Sequence, residues 1–472
     1  MSEPLWSQDA VTVVDLLRTR TISPQEMLDA TEQRVRAIDP LVNALPTLCF
    51  DRASDRLAQR PDWSGTMLAG LPVPIKDSYP VAGVRTTYGS RVYRDNVADR
   101  SDFMVEALEA SGGVVFAKSN TPEFEAGANT FNDVFGRTLN PWDTRLSPAG
   151  SSGGSAVAVA TGMAAIAQGS DFACSLRFPA AFCGVVGLRP TPGLIPQGPG
   201  GVHGQTLSVI GPLARSVADA GLGLAAMARF DARDPLSRPL PEIDFAVAAR
   251  QPFQPARMAF SADLGLAELE PEIRDVVADA AARLARAGAT VTNEAPDLSA
   301  ADNAFRTLRA HQFAAARGEL LAGPERDLIK PEVIWNIEQG LALTSAEISR
   351  ATREQARCRA NLLAFLDREE FLVSATAPVP PYPAEERYVS RIAGRDLATY
   401  LDWLILGYAI TVTGCPAISI PCGFTRSGLP VGLQIIGKPC SEARLLSVAA
   451  WCETVLGRRM ARPIDPKEMT GP

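Results

Sequence analysis

Three short segments hold the side chains best suited to chemistry. The first is Ser147-Pro148-Ala149-Gly150-Ser151-Ser152-Gly153-Gly154-Ser155, a serine pair with glycine on both sides. Such glycines let the backbone take conformations closed to other residues. The second runs Gly169-Ser170-Asp171-Phe172-Ala173-Cys174-Ser175-Leu176-Arg177. The third, Gly70-Leu71-Pro72-Val73-Pro74-Ile75-Lys76-Asp77-Ser78, reads as an apolar strand that ends on one lysine. A serine hydroxyl is a poor nucleophile until a neighbouring base takes its proton. The chain has only two histidines, His203 and His311, and neither lies in a nucleophile-elbow context. A lysine can replace histidine as the base only if it is held neutral. Moving its pKa from about 10.4 to 7 or 8 takes on the order of 4 kcal/mol, supplied by burial and by hydrogen bonds to the neutral amine. In isolation the same lysine reads as a solvated surface charge. Glycines ahead of a helix can also cradle phosphate. The stretch lacks both the Gly-Lys-Ser/Thr ending of a phosphate loop and the Gly-x-Gly-x-x-Gly of a dinucleotide fold.

The elements that would carry these segments follow from pattern. Ser23-Pro24-Gln25-Glu26 is a capping box with proline at the first helical position, predicting a helix to about Ala37. The Ala-rich run after Ser155 predicts a helix packed closely against its neighbours. Amphipathic helix, glycine and short apolar strand recur in that order. One copy is Asp102 to Ser111, Gly112-Gly113 and Val114 to Ala117; another is Pro271 to Ala287, Gly288 and Ala289 to Thr292. That alternation predicts an α/β layered fold with helices over a sheet, without giving the strand order. Residues 190–205 and 377–385 are Pro-rich loops, and 300–370 is largely helical, with Glu347 to Asp367 the longest stretch. Neither loop is long or polar enough for a flexible linker. Residues 1–472 are therefore expected to form one large domain.

Together the three segments resemble the amidase signature family of serine hydrolases. The resemblance extends through Thr86 to Ser90, Phe135 to Asp143, Phe182 to Thr191, Gly211 to Ser216 and Gly414 to Gly437, and is weakest at about 300–400. It implies a central mixed twisted sheet covered by helices on both faces, with a signature core at about 65–220, a variable helical region at about 300–400 and a return to the core at about 401–460. It implies a Ser–Ser–Lys triad: Ser175 as nucleophile, Ser151 as the bridging serine after a cis peptide bond, and Lys76 as base. The family spacing between the two serines is kept. Ser152 would be a supporting hydrogen-bond partner, and Asp171 and Arg177 structural members of the nucleophile loop. Backbone N–H groups from Phe172, Ala173 and Cys174 to Ser175 would hold the oxyanion.

The sequence departs from the family at three positions. Ala173 and Cys174 replace the usual Gly-Gly before the nucleophile, which strains the loop by ~1 kcal/mol or more if either needs positive φ. Cys174 is itself a second candidate nucleophile, against the plainer reading of a small wall residue. Ala149 replaces another glycine, expected to be a milder change. Phe131, Phe172 and Tyr382 are candidate pocket walls.

The remaining composition narrows the partners. Among 472 residues, 46 Lys and Arg against 53 Asp and Glu give a net charge of −7, with no basic block to bind nucleic acid. The eight cysteines form no Cys-x-x-Cys pair and only His203 and His311 could complete a metal site, so no zinc site is expected, and most cysteines should be buried reduced thiols; no metal or cofactor is expected. The first residues show no export signal, and the weakly polar run Ser155 to Ala167 is too short to span a bilayer, so a cytoplasmic location is expected. The resemblance therefore implies hydrolysis of a small amide, ester or carbamate, with a homodimer as a family expectation. Two alternatives stand beside it: the amidase subunit of a tRNA-dependent amidotransferase, and a catalytically silent binding protein on the same fold.

Overall fold

The capping box ahead of Pro24 forms as read: the Ser23 hydroxyl accepts from the Glu26 N–H, and the Glu26 carboxylate accepts from the Ser23 N–H at 2.7 Å. The helix then runs Pro24–Val42, past the predicted end near Ala37, because Ile38 and Val42 continue its buried face. The computed structural model describes residues 3–60, 62–200, 204–240, 244–457, 460 and 462–467. His203 lies outside the described residues.

Two sheets position the three chemical segments. The smaller contains Thr47–Leu48 (β1), Pro72–Lys76 (β2) and Val114–Ser119 (β3), with β3 in the middle, parallel to β2 and antiparallel to β1. The larger contains Ile166–Asp171 (β4), Val186–Arg189 (β5), Val209–Ala214 (β6), Arg257–Phe260 (β7), Thr290–Thr292 (β8), Phe371–Ala375 (β9), Ala417–Phe424 (β10) and Pro430–Ile436 (β11). Their order is β8–β7–β9–β11–β10–β5–β6–β4. The β8–β7 and β7–β9 pairs are parallel and the others antiparallel, so the sheet is mixed.

Helices cover both faces. A Cβ on Gly211 would meet Leu176 at 2.8 Å, just ahead of the helix Arg177–Cys183. Its neighbour in β6, Pro212, packs instead on Gly223 in the helix Val217–Met227. Consecutive strand residues point to opposite faces, so these helices lie on opposite sides. The helix–Gly–strand repeats appear as Phe103–Ala110 followed by β3 and Pro271–Arg286 followed by β8. The 300–370 region is helical, with helices Ala301–Arg317, Pro331–Leu341 and Ser345–Leu366. Among the described residues no disulfide is formed; Cys49 is half-buried, Cys440 is exposed and the other cysteines are buried. Among the described residues no helix is long and apolar enough to cross a membrane.

The two sheets meet where the chemistry gathers. The edge strand β4 lies against β2, and the Lys76 N–H donates to the Gln168 side-chain oxygen at 2.9 Å. This contact sets the ends of β2 and β4 side by side.

Candidate active site

The all-buried strand β2 carries Lys76 to its end with the side chain wholly enclosed. Three oxygens surround its Nζ: Ser151 Oγ at 2.6 Å, Glu125 Oε1 at 2.7 Å and Ser170 Oγ at 2.8 Å. They come from three separate segments. Ser151 follows a cis peptide bond from Gly150, and Ala149 before it has φ +60°, with its carbonyl accepting from Thr130 Oγ1 at 2.8 Å. The next two glycines answer close approach. A Cβ on Gly153 would lie 2.3 Å from Thr130 Oγ1, and one on Gly154 would lie 2.4 Å from the Asn120 nitrogen. Ser152 fastens this turn to β4, donating to the Ser170 carbonyl at 3.1 Å and accepting the Ser170 N–H at 3.2 Å. Its own N–H donates to the Ser175 carbonyl at 3.3 Å.

Ser175 stands between the end of β4 and the helix Arg177–Cys183 and is almost buried. Asp171 and Arg177 bracket this loop. Arg177 donates to Asp171 through Nη2 at 2.8 Å and Nε at 3.0 Å, and Asp171 also accepts from the Leu176 N–H at 3.1 Å. Arg177 reaches further, to the Ala173 carbonyl at 2.8 Å and the Gly407 carbonyl at 3.0 Å. Neither Ala173 nor Cys174 has positive φ; the replacement that does is Ala149. The strain considered for the nucleophile loop therefore falls at Ala149, the change expected to be milder. Among the described residues, the N–H groups of Ala173, Cys174 and Ser175 have no acceptor. The Cys174 side chain is accommodated by Gly407, where a Cβ would stand 2.4 Å from the Cys174 Cβ.

Burial pushes the Lys76 ammonium below its ordinary pKa, against the opposing pull of Glu125 and Asp171. Burial disfavours the Glu125 carboxylate too, but Lys76, Ser170 and Arg317 overcome it and hold Glu125 below the usual carboxylate range. Burial drives the Cys174 thiol well above its ordinary range, which disfavours a thiolate. The arrangement is a buried amine in proton-exchange distance of a serine hydroxyl, next to a loop with free backbone donors.

Comparison with known proteins decides the family. The model of the family described as Amidase matches residues 26–446. The chain belongs to the amidase signature family. An acylamidase from Rhodococcus erythropolis is 34% identical over 454 residues, covering 95% of each chain. A glutamyl-tRNA(Gln) amidotransferase subunit from Moorella thermoacetica is 35% identical, covering 94% of this chain and 96% of its own. Among solved structures, a bacterial aryl acylamidase superposes with a TM-score of 0.90 at 25% identity, covering 98% of each chain. The protein is an enzyme of a family that acts on amide C–N bonds.

In this amidase a cleft of about 370 Å³ opens beside the Lys76 cluster, lined by Tyr79, Tyr88, Phe124, Glu125, Phe172 and Arg317 among others. Of the three predicted walls, only Phe172 lines it. Its ring is parallel to that of Phe313, with centroids 6.5 Å apart. Phe131 turns to a separate small cavity, with Arg387 and Lys330 over its ring at 5.1 and 5.2 Å. Tyr382 packs edge-on to Trp403 and Phe182, and its carbonyl accepts the Ser147 N–H at 2.7 Å. His311 is exposed on the helix Ala301–Arg317. Sequence reasoning missed Glu125, Ser170, Arg317 and Gly407. Glu125 follows Thr121-Pro122-Glu123-Phe124, where no periodicity marks a side chain as inward; only the backbone turn aims it.

Proposed function

We propose that this amidase signature enzyme cleaves amides of small apolar or aryl-bearing substrates through an acyl-enzyme on Ser175, with Ser151 as relay and Lys76 as base. The observation that carries the reading is the buried Lys76 Nζ 2.6 Å from Ser151 Oγ, its pKa lowered by burial. As Ser175 Oγ attacks the carbonyl carbon, its proton passes to Ser151, and the Ser151 proton passes to the neutral Lys76 amine. The tetrahedral oxyanion is held by the unengaged N–H groups of Ala173, Cys174 and Ser175. The relay then runs backwards: the C–N bond breaks and Ser151 gives the leaving nitrogen its proton. Water, deprotonated by the same pair, hydrolyses the ester and restores Ser175. The aromatic cleft beside the cluster supports an apolar acyl or aryl group, and the same apparatus would accept esters and aryl carbamates. The reading takes a small-molecule substrate and requires no cofactor or nucleic acid.

The test is hydrolysis of anilides, alkyl amides, esters and aryl carbamates by the wild type, Ser175→Ala, Lys76→Ala and Cys174→Gly. Loss of at least ~10³-fold in kcat with the first two variants, and survival of Cys174→Gly, is expected. Activity in Ser175→Ala would overturn the assignment. The similarity to a glutamyl-tRNA(Gln) amidotransferase component motivates a second reading, the ammonia-releasing member of such an assembly. Glutaminase activity together with a co-purifying partner would favour it over the first.

A further inference from the structure

The sharp turn Glu123–Glu125 is built in a way that local sequence preference does not favour. Phe124 has φ +46° and Glu125 φ +60°, two consecutive non-glycine residues in the left-handed region. Each such residue costs roughly 1–2 kcal/mol and persists only where its surroundings impose it. Here the surroundings do. The Phe124 N–H donates to the Tyr88 carbonyl at 2.8 Å, and Glu123 accepts from Ser90 Oγ at 2.6 Å. From the helical region, the Lys330 N–H donates to Glu123 Oε2 at 2.8 Å, and the Lys330 ammonium donates to the Ala126 carbonyl. The turn so clamped carries the Glu125 carboxylate to 2.7 Å from Lys76 Nζ. Ser170 Oγ donates to the same carboxylate oxygen and accepts from Lys76, closing a three-membered ring of contacts.

We propose that Glu125 is a positioning residue for the base: it holds Lys76 towards Ser151, sets the pH above which Lys76 is neutral, and stabilises the ammonium that forms when Ser175 is deprotonated. This rests on the Ser175–Ser151–Lys76 reading above. Among the described residues, no other charged group around Nζ can take that part. Asp171 is occupied by Arg177 and Arg189. Cys174 is an enclosed neutral thiol. Tyr79 and Arg317 also interact with Glu125, and the Arg317 guanidinium lies over the Phe124 ring at 4.2 Å. Both favour or tolerate an ionised carboxylate, the one as a neutral hydroxyl and the other as a cation. A carboxylate beside an amine favours the charged form of the amine. Glu125 thus raises the pH at which Lys76 releases its proton and makes the amine a stronger base once neutral. The proton accepted by Lys76 comes from Ser151 and returns there in the second half of the cycle, so Glu125 stays ionised and undergoes no net change.

The test is the pH profile of kcat/KM and kcat for an anilide with the wild type, Glu125→Gln, Glu125→Asp and Lys76→Ala, with the melting temperature of each as the check on folding. In Glu125→Gln the acid limb is expected to move to lower pH by about 1–3 units. Its plateau kcat should fall by roughly 10–100-fold, because the base has become weaker, with KM changed less than about twofold. Glu125→Asp keeps the charge at a longer reach, and its limb should fall between the two; it decides the matter if Glu125→Gln does not fold. An acid limb unmoved in a folded variant, or a loss confined to KM, would overturn the proposal while an inactive Lys76→Ala left the triad reading intact. An active Lys76→Ala would overturn both.

Discussion

Burial alone would push the Asp171 carboxyl up; Arg177 and Arg189 overcome it and hold the pKa down to about 2. Because the folded value lies below the ordinary 3.8, the stability this provides is present in full above about pH 4 and is lost as the pH falls towards 2. Its size is on the order of 2 kcal/mol. Asp171→Asn would leave two buried guanidiniums without their shared anion, a change that costs about 3–5 kcal/mol. Chemical denaturation at pH 7 should show that loss, with the variant less sensitive to acid between pH 4 and 2 than the wild type. Wild-type stability in Asp171→Asn would contradict the account. At this scale the sequence is partly legible. The resemblance gives Asp171 and Arg177 as structural members of the loop around Ser175, and the structure gives each the other as partner. Glu125 is not legible, because its proximity to Lys76 depends on two left-handed backbone angles that residue type does not encode.

The helix Ile405–Thr411 packs against the loop that carries Ser175, and its Gly407 faces Ala173 and Cys174. A methyl group there would stand 2.4 Å from the Cys174 Cβ and 2.6 Å from the Ala173 carbonyl oxygen. Gly407→Ala is therefore expected to destabilise the protein by about 1–3 kcal/mol. It should also lower kcat more than that loss alone explains, by displacing the N–H groups of Ala173 and Cys174. In the double variant with Cys174→Gly, part of both effects should return, with a coupling of ~0.5 kcal/mol or more in a denaturation cycle. Strict additivity would refute the contact. Helices and strands are legible from pattern: the capping box, the two helix–Gly–strand repeats and the long helix at Ser345–Leu366 are all present. Backbone conformation is not, with the left-handed residue at Ala149 rather than at Ala173 or Cys174. An alanine carries no local sign of its φ, so only the path of the chain around it reveals the difference.

Across the whole molecule, Lys76, Ser151 and Ser175 arrive on a strand of one sheet, a turn ahead of a short helix and a loop leaving a second sheet. Segment patterns announce such elements one at a time, whereas the order β8–β7–β9–β11–β10–β5–β6–β4 is a property of pairings between residues far apart in sequence. That order puts β4 at the sheet edge, where β2 can lie against it, and so the convergence is legible only through family resemblance. The same non-local packing explains why the cleft walls are poorly legible: Phe131 and Tyr382 are aromatic and near in sequence to the site or its loops, yet turn to other partners. The central claim is that this assembly makes Ser175 the acyl acceptor. It is tested most directly by quenching an anilide reaction in acid within a turnover, then locating the added acyl mass by peptide mapping. One acyl group is expected on Ser175, absent from Ser175→Ala and from Lys76→Ala. An acyl group on Cys174, or turnover in Ser175→Ala with no acyl-enzyme, would contradict it.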